Sequence, residues 1–239
     1  MVRNEKAFTL IELLVVISII AIIVGIILPA LAKTKRQARF IICQTNLKAY
    51  GQAGSSYLSE NDDCFPDSYT WLHADGAKSY VDPCAWHDAT YLADGSLWPY
   101  LEANDVHMCP IFYILSQRLG PDHPSHDSSI PVDPQYSYSM NGYLGDGFFG
   151  EVERSAQIKL TAEIIFFSEE NVWTIDGLSQ YALNNNNLVI RDDGSWNNIA
   201  TYHKIKGRDL DSGVANVVFI DGHVGTAKAE DSFKIAWPL

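Results

Sequence analysis

An apolar run from Leu13 to Leu28, broken only by Ser18 and Gly25, limits what this 239-residue chain can become. Taken from Phe8 to Ala32 as a helix, it is long enough to cross a hydrocarbon core of about 30 Å. A secretory signal peptide fits less well. The run exceeds an ordinary h-region, and Ala30-Leu31-Ala32 leads into the basic stretch Lys33, Lys35, Arg36 and Arg39. One residue does not suit a plain anchor. Glu12 stands where water cannot follow a carboxylate, and such a group is costly unless a cation meets it. A buried pair of that kind sets the register between neighbouring helices.

The residues around that acid, Phe8-Thr9-Leu10-Ile11-Glu12-Leu13, resemble the processing and methylation signal of type IV prepilins and type II secretion pseudopilins. The resemblance implies cleavage between Ala7 and Phe8 by prepilin peptidase on the cytoplasmic side, then methylation of the new amine. Gly usually precedes the cut in that family, and Ala7 stands there in this chain. Glu12 becomes fifth in the mature chain, the position of the family's acid, which pairs with the terminal amine of a neighbouring copy. Pro29 falls where many pilins carry a helix-loosening proline. A bare count of basic residues opposes this orientation, since only Arg3 and Lys6 precede the span. The leader must face its peptidase, however, and a large cysteine-containing region follows. The implied arrangement is a single-pass inner-membrane protein with a periplasmic head, and an extracytoplasmic filament after assembly.

Helical periodicity continues beyond the span. Phe40, Cys43, Leu47, Tyr50, Gly54 and Tyr57 recur at steps of three and four, while no acid occurs between Lys33 and Lys48. One helix from about Thr9 to about Ser59, roughly 75 Å long, is predicted. Pro29 should kink it or unwind it locally. The stripe should be the floor of a head domain, and Asn61-Asp62-Asp63 with Pro66 should end the helix. The predicted division is a leader over 1–7, a transmembrane and assembly helix over 8–32, its amphipathic continuation over 33–60, and a globular head over 61–239.

The formal charge is −12, and loss of residues 1–7 would make it −13. An acidic head argues against nucleic-acid binding by phosphate neutralisation. It leaves Ca²⁺ open, with Asp192-Asp193-Gly194-Ser195 the best oxygen-rich loop, although a β-turn explains that segment as well. Four cysteines, all after the span, suit an oxidising compartment. Cys43 and Cys64 pair poorly, because the helix carries the chain about 24 Å away and five residues return at most about 17 Å. Free buried thiols and Zn²⁺ remain alternatives, the latter weaker because no Cys-x-x-Cys occurs.

A second resemblance bears on the cysteines. Cys43-Gln44-Thr45-Asn46-Leu47-Lys48, then Tyr57 and Asn61-Asp62-Asp63-Cys64-Phe65-Pro66, resembles a pseudopilin-like group similar in layout to the major pseudopilin of type II secretion. Cys109 in Met108-Cys109-Pro110 matches a second cysteine of that group. The resemblance implies Cys43–Cys109, which leaves Cys64–Cys84. Phe219-Ile220-Asp221-Gly222-His223-Val224 resembles the group's C-terminal His…Asp-Gly element, whose His lies nine residues upstream. His203 is the corresponding residue here, but seventeen residues separate it from Asp221, with Lys204 to Asp211 reading as an insertion. A structural hairpin is the simpler reading of this element.

The head should be α+β, a long N-terminal helix laid on a C-terminal antiparallel sheet, which is pilin-like. Strands are predicted at Tyr136 to Met140, Ile164 to Phe167, Val172 to Ile175, Leu188 to Ile190, Asn216 to Ile220 and His223 to Ala227. Asp221-Gly222 suggests a two-residue type I′ turn. His123-Pro124-Ser125-His126 offers two metal ligands, but a Pro-rich loop is more often simply exposed. No nucleophile–base motif of a hydrolase is visible, so no enzyme is expected. The predicted role is structural, a filament subunit whose partners are copies of itself or related pilins, prepilin peptidase and the inner membrane. The alternative is an anchored module recognising a polysaccharide or secreted substrate through exposed Tyr69, Trp71, Trp86 and Trp196.

Overall fold

The computed structural model describes residues 10–75, 82–91, 93–101, 104–123, 126–183 and 185–239. The chain divides into two units, Met1–Arg39 and Phe40–Leu239. Helix α1, Leu10–Glu60, begins in the first and ends in the second.

In the first unit every described residue from 10 to 38 is exposed, the apolar run included. Pro29 lies inside α1 and the helix is continuous through it, so of the two expected effects, a kink or local unwinding, the unwinding does not occur. A proline removes one N–H donor and crowds one carbonyl, here that of Gly25. The flanking turns are intact and carry the helix through. Ser18 and Thr34 return their hydroxyls to the carbonyls of Leu14 and Ala30, at 2.7 and 3.0 Å. That satisfies both polar groups within the helix itself.

In the second unit α1 buries the predicted stripe: Phe40, Cys43, Leu47, Tyr50 and Gly54, with Asn46, Gly51, Ala53 and Leu58 beside them. Tyr57 is half-buried. Tyr50 is the centre of this packing. Its ring meets Trp71, His107, Tyr138 and Phe167 at centroid distances of 5.2 to 5.8 Å. Its hydroxyl shares a 2.7 Å hydrogen bond with His107 Nδ1. The helix ends as the Asn-Asp-Asp signal predicts. Asp62 and Asp63 both take left-handed φ, +53° and +65°, and Asp63 N–H returns to the Leu58 carbonyl at 2.9 Å. The Asp63 carboxylate then accepts the Ala156 N–H at 2.8 Å and the Ser155 hydroxyl, tying the helix end to the head.

Five strands form one sheet in the order β3-β1-β2-β4-β5: β1 Tyr138–Asn141, β2 Ile165–Glu169, β3 Asn187–Leu188, β4 Ala215–Phe219 and β5 Val224–Ala227. Every pairing is antiparallel except β1 with β3. The long helix on a mostly antiparallel sheet is α+β and pilin-like. Helix α2, Pro110–Leu119, follows the Cys109 position, and α3, Ser232–Ala236, closes the chain. The structure departs from two expectations here. Val172 to Ile175 is not a strand: Val172 and Ile175 are buried, but no neighbouring strand pairs with the segment. The β4–β5 turn is not type I′, because Gly222 takes φ +81° while Asp221 stays out of the left-handed region. Gly222 N–H bonds to the Phe219 carbonyl at 2.8 Å, and Phe219 N–H to that of His223 at 3.0 Å. The loop therefore has three residues, with the glycine in the bulge position.

Two glycines allow α1 to lie close on the sheet. A Cβ at Gly51 would come 2.6 Å from Val218 Cγ2, and one at Gly54 would come 2.2 Å from the Phe166 ring. In an open helix Gly→Ala stabilises by about 0.5–1 kcal/mol. Gly54→Ala should reverse that sign and cost about 1–3 kcal/mol, because the buried Phe166 ring has nowhere to go. Chemical denaturation of the full chain in detergent reads the sign; a gain in stability would contradict the close approach.

Candidate functional site

Three regions hold the residues to which the sequence assigns roles. The first is the start of α1. Ala7 and Phe8 lie outside the described residues, and Glu12 sits in the first turn of the helix, exposed among exposed Leu10, Ile11, Leu13 and Leu14. A carboxylate there faces the positive end of the helix dipole. The helix is long and apolar enough to span a membrane, and its apolar window is not covered by the chain itself. Such a surface requires lipid or neighbouring helices.

The second region is a buried centre where α1 meets the sheet. Cys43 of α1 and Cys109, just ahead of α2, are joined in a disulfide. The remaining pairing does not form. Cys64 makes a backbone bridge with Arg154, while Cys84 is a free, buried thiol among histidines. Beside the disulfide, His203 Nε2 lies 2.9 Å from Glu169 Oε1 and 3.7 Å from Cys109 Sγ, with both the His203 and Glu169 side chains fully buried. The other Glu169 oxygen accepts the Asn216 N–H at 2.9 Å. One carboxylate thus ties β2, β4 and the 203 segment together. Phe40 of α1 stacks edge-on against His203 at 5.3 Å. Removing one partner of such a buried pair strands the other, so these residues secure the core where β2, β4 and the 203 segment meet.

The third region is the C-terminal element, which the structure separates from His203. His223 Nδ1 and Asp221 Oδ1 are 2.6 Å apart, both partly exposed, and the His223 ring stacks flat on Phe219 at 4.3 Å. Lys48 of α1 donates to the Gly222 carbonyl at 2.7 Å. Burial would raise the Asp221 pKa, but the His223 N–H and imidazole, with help from Lys48, hold it below the usual value. This element is a hairpin tip docked on the helix. His203 belongs to the core pair with Glu169 instead.

The other candidates separate just as clearly. Asp192 and Asp193 are exposed; Asp193 accepts the Ser195 N–H at 2.9 Å and Gly194 takes φ +67°, which is a turn. The aromatics proposed for glycan contact are not an exposed set. Trp71 and Trp86 are fully buried, Tyr69 is buried, and half-buried Trp196 packs on Phe149. The binding-module alternative loses its basis with them. His123 is also buried rather than exposed. It converges with Cys84, His87 and His126, a group without a Cys-x-x-Cys pair. The signal was present as Cys84-Ala85-Trp86-His87, a Cys-x-x-His pair. Burial raises the Cys84 pKa and lowers that of His87, so both side chains favour their neutral forms.

Beside Glu169 in sequence, Glu170 has the opposite environment. It is buried, with Asn197 Nδ2 donating to one oxygen at 3.1 Å, and burial raises its pKa to about 8. The folded state keeps Glu170 neutral, while the unfolded chain ionises it from the ordinary value near 4.5 upward. Its contribution is therefore complete below about pH 4.5 and is lost as pH rises toward about 8. Glu170→Gln should flatten that window and stabilise the chain by about 2–4 kcal/mol at pH 8, with little change at pH 4. Denaturant titrations at the two pH values test this; equal effects at both would refute it.

Residues 2–28 match the prokaryotic N-terminal methylation motif, a span that includes Ala7, Phe8 and Glu12. Comparison with curated proteins and with solved structures finds no match. That motif implies processing by prepilin peptidase, and the helix-on-sheet head that follows has pilin-like architecture. The chain thus carries a prepilin-type methylation signal at its N-terminus, ahead of a head of pilin-like architecture.

Proposed function

We propose that this chain is a structural subunit of a type IV pilus-like or type II secretion pseudopilus filament. It is cut before Phe8 and N-methylated there, and residues 8–32 hold it in the inner membrane with the head outside the cytoplasm. The observation that carries this reading is the placement of Glu12, in the first helical turn of an exposed apolar segment that matches the methylation motif.

The physical logic is that of a buried charge. In lipid, Glu12 gains most from a cation that arrives without water. The α-amine freed at Phe8 of a second copy is such a cation, and it lies at the end of an equally apolar helix. Pairing the two sets how far one helix slides along the next, while the apolar surfaces pack without a register of their own. Membrane insertion and subunit order then come from the same short segment.

Two measurements test the reading. Mass spectrometry of the mature chain should find Phe8 at the N-terminus carrying a methyl group; an intact Met1 refutes processing. Glu12→Leu should leave the chain in the membrane but reduce the assembled fraction by more than about a hundredfold, the factor expected from losing a buried pair worth about 3–5 kcal/mol. Filament at the normal level in that variant refutes the pairing.

A further inference from the structure

Two short segments far apart in sequence bring four ligand atoms to one point in the head. Cys84 and His87 come from the turn over 82–88, and His123 and His126 follow α2. Cys84 Sγ, His87 Nε2, His123 Nε2 and His126 Nδ1 all lie within 4.8 Å of one another. The two sulfur–nitrogen separations are 3.8 and 3.7 Å, to His123 and His126. His123 Nε2 is 3.0 Å from His87 Nε2 and 3.2 Å from His126 Nδ1. A tetrahedral zinc ion with Zn–S about 2.3 Å and Zn–N about 2.0–2.1 Å has S···N edges of about 3.6 Å and N···N edges of about 3.3–3.4 Å. The four separations given lie near those edges, and the other two do not exceed 4.8 Å.

Hydrogen bonding alone accounts for this convergence poorly. His87 Nδ1 lies 3.1 Å from the Pro131 carbonyl, which can only accept, so the ring proton sits on Nδ1 and Nε2 presents a lone pair. His123 Nε2 faces that lone pair, a second imidazole nitrogen and a sulfur, and itself carries at most one proton for the three. A cation at the centre turns these opposed lone pairs into ligands. The surroundings have the form of an outer shell for such a centre. The Pro131 carbonyl orients His87, and the Asp127 N–H points at Cys84 Sγ from 3.3 Å, which favours the thiolate. Cys84 and His87 are fully buried, His123 is 5% exposed and His126 is half-buried, and four protein ligands suffice to complete a tetrahedral shell.

We infer that Cys84, His87, His123 and His126 form a structural zinc site, one Zn²⁺ per chain, with Cys84 bound as thiolate after release of its proton. Its role follows from its position. No strand precedes β1 among the described residues after α1, and this stretch is held mainly by turns and by α2. The metal joins the turn over 82–88 to the segment after α2, and it fixes Trp86, which packs on Phe112 and His123 at 5.6 Å each. The site does not depend on which filament the chain joins.

The test uses the full chain in detergent, stripped with a chelator under non-reducing conditions and then titrated with zinc or cobalt alone. Elemental analysis should find one zinc per chain. Cobalt should give the visible bands of a tetrahedral ion together with a thiolate charge-transfer band. Cys84→Ser should abolish the charge-transfer band, and both Cys84→Ser and His126→Ala should weaken zinc binding by at least about a hundredfold. Cys64→Ser, at the other free cysteine, should change neither measurement. Circular dichroism of each variant separates loss of metal from loss of fold, and the parent titration stands without any variant. A parent chain that takes up no zinc, or takes up copper alone, overturns the inference. So does zinc held at parental affinity by both Cys84→Ser and His126→Ala.

Discussion

The head depends on one face of α1 lying close against β2 and β4. Phe40 to Leu58 supplies the buried stripe, and Gly51 and Gly54 remove the side chains that would hold helix and sheet apart. Tyr50 then reaches four aromatic rings, and its hydroxyl is satisfied by His107. Aromatic contacts of this kind contribute about 0.5–1.5 kcal/mol each beyond the area they bury. The Cys43–Cys109 bond and the Lys48 contact to Gly222 secure the same face at two further points. The stripe is part of the same helix that carries Glu12, so one element serves both as head core and as apolar segment.

The polar groups inside the head follow a consistent logic. Glu169 is buried with a histidine beside one oxygen and a backbone N–H on the other. Its neighbour Glu170 has no cation among its described partners, and burial keeps it protonated. Adjacent buried carboxyls at the end of β2 thus sit in different surroundings, one beside a histidine and a backbone N–H, the other beside an amide. Both side chains are buried in the head. The cysteines separate in the same way: Cys43 and Cys109 meet across the helix–sheet seam, while Cys84 faces three imidazoles.

What could be read in advance was what is local. The methylation motif is contiguous, and the stripe from Phe40 to Tyr57 repeats at the helical period, so both are visible without neighbours. The Asn61-Asp62-Asp63 stop is equally local, since aspartate tolerates the left-handed backbone that ends a helix. What partners decide is not local. Val172 to Ile175 has strand-like composition but no strand to pair with. Trp71 and Trp86 lie in polar, irregular stretches and look exposed until the core closes over them. Asp-Gly suits several turns, and the three-residue loop follows from the register that brings Val218 opposite Val224.

By itself the sequence determined the apolar segment, its lone acid, the methylation signal and the amphipathic helix, because each is written in neighbouring residues and in a single period. Only the tertiary structure decided that His203 joins Glu169 instead of Asp221, and that Cys84 faces imidazoles instead of Cys64. Those choices bring together side chains tens of residues apart. Burial and close packing select such contacts, and no spacing along the chain encodes them.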